Sequence, residues 1–270
     1  MVSDWKVNFG DFAADNVAVK ETILFPNYQV LFAGNDTEHA APIIQRASEI
    51  LFSSMSVRPS PVDVANAADQ AYGERLQIEI TNRVLRKHGF DADSFRETGK
   101  RKCTASVYQA LCGRIAQVNI SLKLLVCGFD KDGIGHIYCV DGKSAPKCYD
   151  NIGMWAIGSG AHAALSSLAF HADKVDLNRT TSVGKATYLA IAAKFMAESS
   201  SEVGKGATNV LIGEKDNVMK LCVPTPRLEK IRSLWEREGA PRIPENIEAE
   251  MKSHIMTPIE ALRSYEELSR

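Results

Sequence analysis

The chain has 270 residues, 45% of them hydrophobic and 24% charged, and its 32 Lys and Arg against 33 Asp and Glu leave a net charge of −1. So much apolar material excludes disorder throughout, and the even balance gives no electrostatic reason to expect nucleic acid or a membrane surface as a partner. No apolar run approaches the ~20 residues that cross a bilayer, and Met1-Val2-Ser3-Asp4-Trp5-Lys6 lacks the basic and apolar regions of a signal peptide.

In chain order, Met1 to Val7 reads as extended, and Asn8 to Val19 as a stretch of polar and small residues. Strand character returns from Thr22 to Phe32, interrupted by the turn Pro26-Asn27, and ends at the corner Ala33-Gly34-Asn35-Asp36. Ile43, Ile44, Ala47, Ile50 and Leu51 share one helical face, with Pro42 in the first turn. Ser60-Pro61-Val62-Asp63 is a helix start with a cap, a first-turn proline and an acid three residues on. The stripe Ala65, Ala68, Tyr72, Leu76, Ile80 and Val84 then runs to a stop at His88-Gly89.

Between Asp91 and Ser121 no pattern dominates, and the basic run 96–102 reads as a solvated loop, with a binding patch as the alternative. Leu122–Phe129 and Gly135–Val140 are two strands joined by the hairpin signal Asp130-Lys131-Asp132-Gly133. A third extended run, Met154–Ile157, meets Gly158-Ser159-Gly160. Helices are expected at Ala161–Phe170 and, capped by Ser182, at Val183–Ser199 with Ala186, Leu189, Ala190, Ala193 and Met196 on its face. A hairpin follows, Thr208–Ile212 and Val218–Val223 around Glu214-Lys215-Asp216-Asn217. Two charged helices, Leu228–Glu238 and Glu245–Ser269, close the chain around Pro241 and Pro244. Strands in blocks argue against a doubly wound parallel sheet, and helix pairs between antiparallel blocks suit two stacked sheets covered on both outer faces.

None of the six cysteines forms a CxxC pair, so they read as buried, reduced thiols in a cytosolic protein. The six histidines show no ligand spacing, and neither a metal nor a cofactor is expected. Gly158-Ser159-Gly160-Ala161-His162-Ala163 has the spacing of a dinucleotide-binding turn, but antiparallel neighbours and the absence of a following acid-tipped strand weigh against it. Val183-Gly184-Lys185-Ala186 lacks the leading Gly and the Ser or Thr of a phosphate loop. Thr104 and Thr180-Thr181-Ser182 are internal, without a free amine, and read as caps or loop residues.

Several short motifs in the right order resemble the β-type subunits of proteasomes. Val2-Ser3-Asp4-Trp5-Lys6-Val7 is similar to the strand end that carries the family's acid. Lys20 lies sixteen positions after Asp4 and Gly34 thirty after it, the separations of the family's lysine and Ala-Gly corner. Leu124-Leu125-Val126-Cys127-Gly128-Phe129-Asp130, Ile157-Gly158-Ser159-Gly160 and Gly204-Lys205-Gly206-Ala207-Thr208-Asn209-Val210 resemble three later family motifs, so the likeness spans roughly residues 1–223.

The resemblance implies an α+β fold, the four-layer αββα sandwich of two antiparallel sheets found in N-terminal-nucleophile hydrolases. It covers 1–223, with 224–270 as a charged helical C-terminal extension. It implies threonine-type peptidase activity: a terminal Thr attacks, its own amine acts as base, a Lys⁺ disfavours protonation of that amine, and a backbone N–H stabilises the oxyanion. Asp4 matches the acid, Lys20 the lysine, Ser159 the serine near the nucleophile, and the Gly34 N–H an oxyanion donor. The family's second Asp…Ser pair falls on Ser201 and Gly204 here, with Glu198 or Glu202 as possible substitute acids.

Only three residues precede Asp4, so the family's first strand and its Thr are not in this sequence. The expectation is a natural polypeptide that starts upstream; the alternative is a noncatalytic structural subunit of a ring. Ser3 fits no part of the family geometry. The family further implies peptide or unfolded-protein substrates, a homo-oligomeric ring, an ATP-dependent unfoldase as partner, and a cytoplasmic location.

Overall fold

The computed structural model describes residues 1–4, 7–9, 12–14, 20–54, 59–172, 181–206, 208–214, 217–223 and 225–239. Two compact units divide the chain, Met1–Ile231 and Arg232–Arg270. The expected second tail helix, Thr180, Pro241 and Pro244 lie outside the described residues. No helix among those described is long and apolar enough to cross a membrane.

The first unit is mixed α and β, with two open antiparallel sheets. The strands are β1 (Val2–Asp4), β2 (Val7–Phe9), β3 (Phe12–Ala14), β4 (Glu21–Phe25), β5 (Tyr28–Gly34), β6 (Leu122–Phe129), β7 (Gly135–Val140), β8 (Lys147–Cys148), β9 (Thr208–Glu214) and β10 (Asn217–Val223). One sheet has five strands in the order β4-β5-β6-β7-β8, the other has three in the order β1-β9-β10, and β2 and β3 form a separate ladder. The helices are α1 (Ala40–Ser53), α2 (Pro61–Ile80), α3 (Ala92–Lys102), α4 (Ala105–Gln117), α5 (Ala161–Ala172), α6 (Val183–Ala197) and α7 (Thr225–Leu234).

Strand alternation gives the five-stranded sheet two apolar faces. On one, Leu24, Val30, Leu122, Leu124, Val126 and Val140 pack with Ile43, Ala47 and Leu51 of α1 and Val64, Ala68 and Tyr72 of α2. On the other, Leu31, Leu125 and Cys139 meet Leu211 of β9. α6 in turn contacts β1 and β9, and α5 lies along α6.

Local chemistry sets the element ends. The β4–β5 turn is tight, and Asn27 takes the left-handed conformation there, with φ 70°. Ser60 and Asp63 close a reciprocal capping box at the start of α2.

Three expectations need correction. Residues 96–102 are not a loop: they lie in α3, which Asp91 and Ser94 cap reciprocally and whose Phe95 and Gly99 face inward. Met154–Ile157 is not a strand; the stacked rings of Tyr149 and Trp155, 3.5 Å apart, pin this loop instead, and the extra strand is β8. α6 has no single apolar face, because Leu189, Ile191, Ala192, Ala193, Phe195 and Ala197 are buried around the helix while Ala186 is exposed. A helix so enclosed escapes a search for one stripe.

Candidate functional site

The residues singled out by the resemblance line one cleft of about 790 Å³, Asp4, Lys20, Gly34 and Ser159 among others. Asp4 ends β1 opposite Thr208 of β9, and Lys20 directly precedes β4, its carbonyl accepting the Phe32 N–H at 3.0 Å. Lys20 Nζ donates to Asp4 Oδ1 at 3.0 Å, with the two side chains only 17% and 16% exposed. An ion pair so far withdrawn from water keeps much of its Coulombic attraction, and removing either partner leaves a poorly solvated charge.

Gly34 closes β5 against Leu122 of β6. Its φ is +154°, and a Cβ there would stand 2.0 Å from the Ser121 carbonyl oxygen, so close backbone approach requires glycine. Ser159 is exposed in the turn before α5. Gly160 beside it is also a close-approach residue, since a Cβ would fall 2.7 Å from both Ala197 and Val203. That turn follows an irregular segment rather than a strand, which removes the dinucleotide reading.

A second polar cluster flanks the pair. Ser3 Oγ donates to Glu21 Oε2 at 2.6 Å, and the amide of Asn209 donates to Glu21 Oε1. Glu21 is 3% exposed and Asn209 1%. Ser3 and Asn209 belong to one sheet and Glu21 to the other, so this carboxylate ties the sheets together one residue away from Lys20 and Asp4. The sequence reading missed Glu21 and Asn209, although an acid on the inner side of the Glu21–Phe25 strand was the available signal.

The Glu198 and Glu202 suggested as substitute acids take different places. Glu198 forms a buried ion pair with Lys194, while Glu202 is exposed at the cleft. Thr104 is the N-cap of α4, accepting from the Val107 N–H. Among the described residues no group of three His, Cys, Asp or Glu is arranged to hold a metal ion.

The chain matches no protein-family model and no curated protein.

The lining limits the chemistry. Among its described lining residues there is no histidine. Cys127 reaches the cleft, but burial pushes its thiol up to about 12, which leaves almost no thiolate at neutral pH. Ser3 Oγ donates to Glu21, which is itself held by Asn209. What the cleft offers is a Lys–Asp pair beside a glycine corner and a serine turn.

Proposed function

We propose that this chain is the body of an N-terminal-nucleophile hydrolase of the proteasome β type, and that it hydrolyses peptide bonds. On this reading α1 and α2, the five-stranded sheet, the three-stranded sheet, and α5 and α6 are the four layers of an αββα sandwich. The observation that carries the proposal is the Lys20–Asp4 ion pair at 3.0 Å in the cleft that Gly34 and Ser159 also line. The family resemblance selected those four residues, and all four line the one cleft.

The proposed nucleophile is a terminal Thr ahead of Met1 in the natural polypeptide. Its hydroxyl attacks the scissile carbonyl, its amine takes the hydroxyl proton, and that proton passes to the leaving amine. The resulting ester is hydrolysed by water. Lys20 holds positive charge beside the amine and so favours its neutral form, while Asp4 fixes the position of Lys20. A ring of like subunits, unfolded protein as substrate, an ATP-dependent unfoldase and a cytoplasmic setting belong to the same proposal.

The test is made on protein purified from its natural source. N-terminal sequencing is expected to find an upstream Thr, and a Thr-directed covalent peptide inhibitor is expected to label it. In that full chain Lys20→Ala should lower kcat/KM for peptide hydrolysis by roughly 10²-fold or more. Normal turnover by the variant overturns the mechanism. A start at Met1 without labelling overturns the peptidase reading in favour of a noncatalytic ring subunit.

A further inference from the structure

We infer that the cleft selects peptides with an acidic side chain, and that Lys123, assisted by Lys143, is the specificity-determining residue. This deepens the peptidase proposal and rests on it.

The argument begins with strand alternation. Leu122, Leu124 and Val126 of β6 point into the α1–α2 core, so Lys123, Leu125 and Cys127 point to the opposite face. Leu125 and Cys127 belong to the inner cluster on that face. A lysine therefore stands on the inner, otherwise apolar side of the sheet, next to Ala33 of β5 and one residue from the Gly34 corner.

Among the described residues no carboxylate takes up its charge. Of the lysines that line the cleft, Lys20 is paired with Asp4 and Lys194 with Glu198. Lys123 and Lys143 have no carboxylate partner among the described residues, and both are exposed. Asp141, an acid of the same lining, is already engaged: its oxygens accept the Lys143 N–H at 3.0 Å, the Ser144 hydroxyl at 3.4 Å and Lys147 Nζ at 3.5 Å. Glu202, the remaining acid of the described lining, belongs to the segment after α6. Two ammonium groups without a carboxylate partner among the described residues share a cleft lining with the apolar Leu125 and Trp155, which suits a chain segment with an aliphatic stem and a carboxylate tip, as Glu and Asp have.

The experiment measures binding, so that it does not depend on turnover. Fluorescein-labelled Ala-Glu-Ala-Glu-Ala and its Gln-for-Glu twin are titrated with the full chain at low and physiological salt, read by anisotropy. The acidic peptide should bind roughly tenfold more tightly than its neutral twin, the size expected of one carboxylate–ammonium contact in a partly closed site. Lys123→Glu should erase that difference without weakening the neutral peptide. Lys100→Glu, on α3 and outside the cleft lining, should leave it intact. Equal binding of the twins by the wild type overturns the inference, as does equal loss in the Lys100→Glu control. If Lys123 governs the preference but the Thr-bearing chain hydrolyses neither peptide, the acidic subsite stands and the peptidase reading falls.

Discussion

Glu21 concentrates more of the structure than its position in a short strand suggests. Its two oxygens accept from Ser3 and from Asn209, side chains that reach it from a different sheet. Buried carboxylates are costly unless every oxygen is satisfied, and cutting one partner from such a network leaves the others with unmet desolvation. Glu21→Ala is therefore expected to cost about 2–3 kcal/mol, read as a fall in the urea midpoint without a change in slope. Glu21→Gln should recover part of that, since one oxygen can still accept but the amide nitrogen faces a donor. Stability unchanged in the alanine variant would show that the two sheets are joined by apolar contact alone. Because Lys20 and Glu21 are consecutive, as are Ser3 and Asp4, loosening this joint also displaces the ion pair of the candidate site. The acid in an apolar strand was a signal in the sequence, but its partners were not readable there, because Ser3 and Asn209 are separated from Glu21 by 18 and 188 positions.

At the scale of elements, the β6–β7 hairpin was legible to the residue because its strands are apolar runs around Asp130-Lys131-Asp132-Gly133, which only a tight turn accommodates. Lys20 and Asp4 were legible only as spacing, and their contact is a tertiary fact. The helix α3 was not legible, since its pattern rests on a single buried aromatic, Phe95, among charged residues. Nor was the clip that holds this hairpin to β8. His136 lies between two acids, with Nδ1 2.6 Å from Asp150 Oδ2 and Nε2 3.5 Å from Asp130 Oδ2. Burial opposes ionisation of Asp150, yet the Ile137 N–H, His136 and Cys148 outweigh it and hold the carboxyl below its ordinary value of 3.8. The Ile134 N–H does the same for Asp130, against burial and with help from His136. A carboxyl depressed on folding stabilises the fold above its unfolded value, and that contribution is lost as pH falls through the folded value. Asp150→Asn should thus lower Tm near pH 5 by the equivalent of about 1 kcal/mol, discounted for its partial exposure, and the gap should close toward about pH 2. A gap that stays constant over this range, or opens only in acid, contradicts the clip.

Over the whole first unit, stability is divided between cores of unequal reach. The large cluster joins α1 and α2 to four strands of the main sheet. A smaller one gathers Ile80, Val84, Leu85, Phe95 and Leu111 around the end of α2, α3 and α4, and Leu76 packs against both. Such a satellite opens at lower free energy than the sheet that supports it. Its keystone is Phe95, which stacks on Tyr108 at 5.3 Å and meets Phe90 edge-on at 5.5 Å. Phe95→Ala removes both ring contacts and leaves a cavity worth about 3–5 kcal/mol. The expected result is faster amide exchange throughout α3 and α4, with exchange in β5 and β6 unchanged. Leu124→Ala, at the centre of the large cluster, should instead accelerate exchange in every element by the fall in global stability, about 2–5 kcal/mol. If the two variants gave the same exchange map, the α3–α4 pair would be part of one cooperative core. If they differ as expected, this pair can rearrange or be lost without disturbing Lys20, Asp4 and the sheet corner at Gly34.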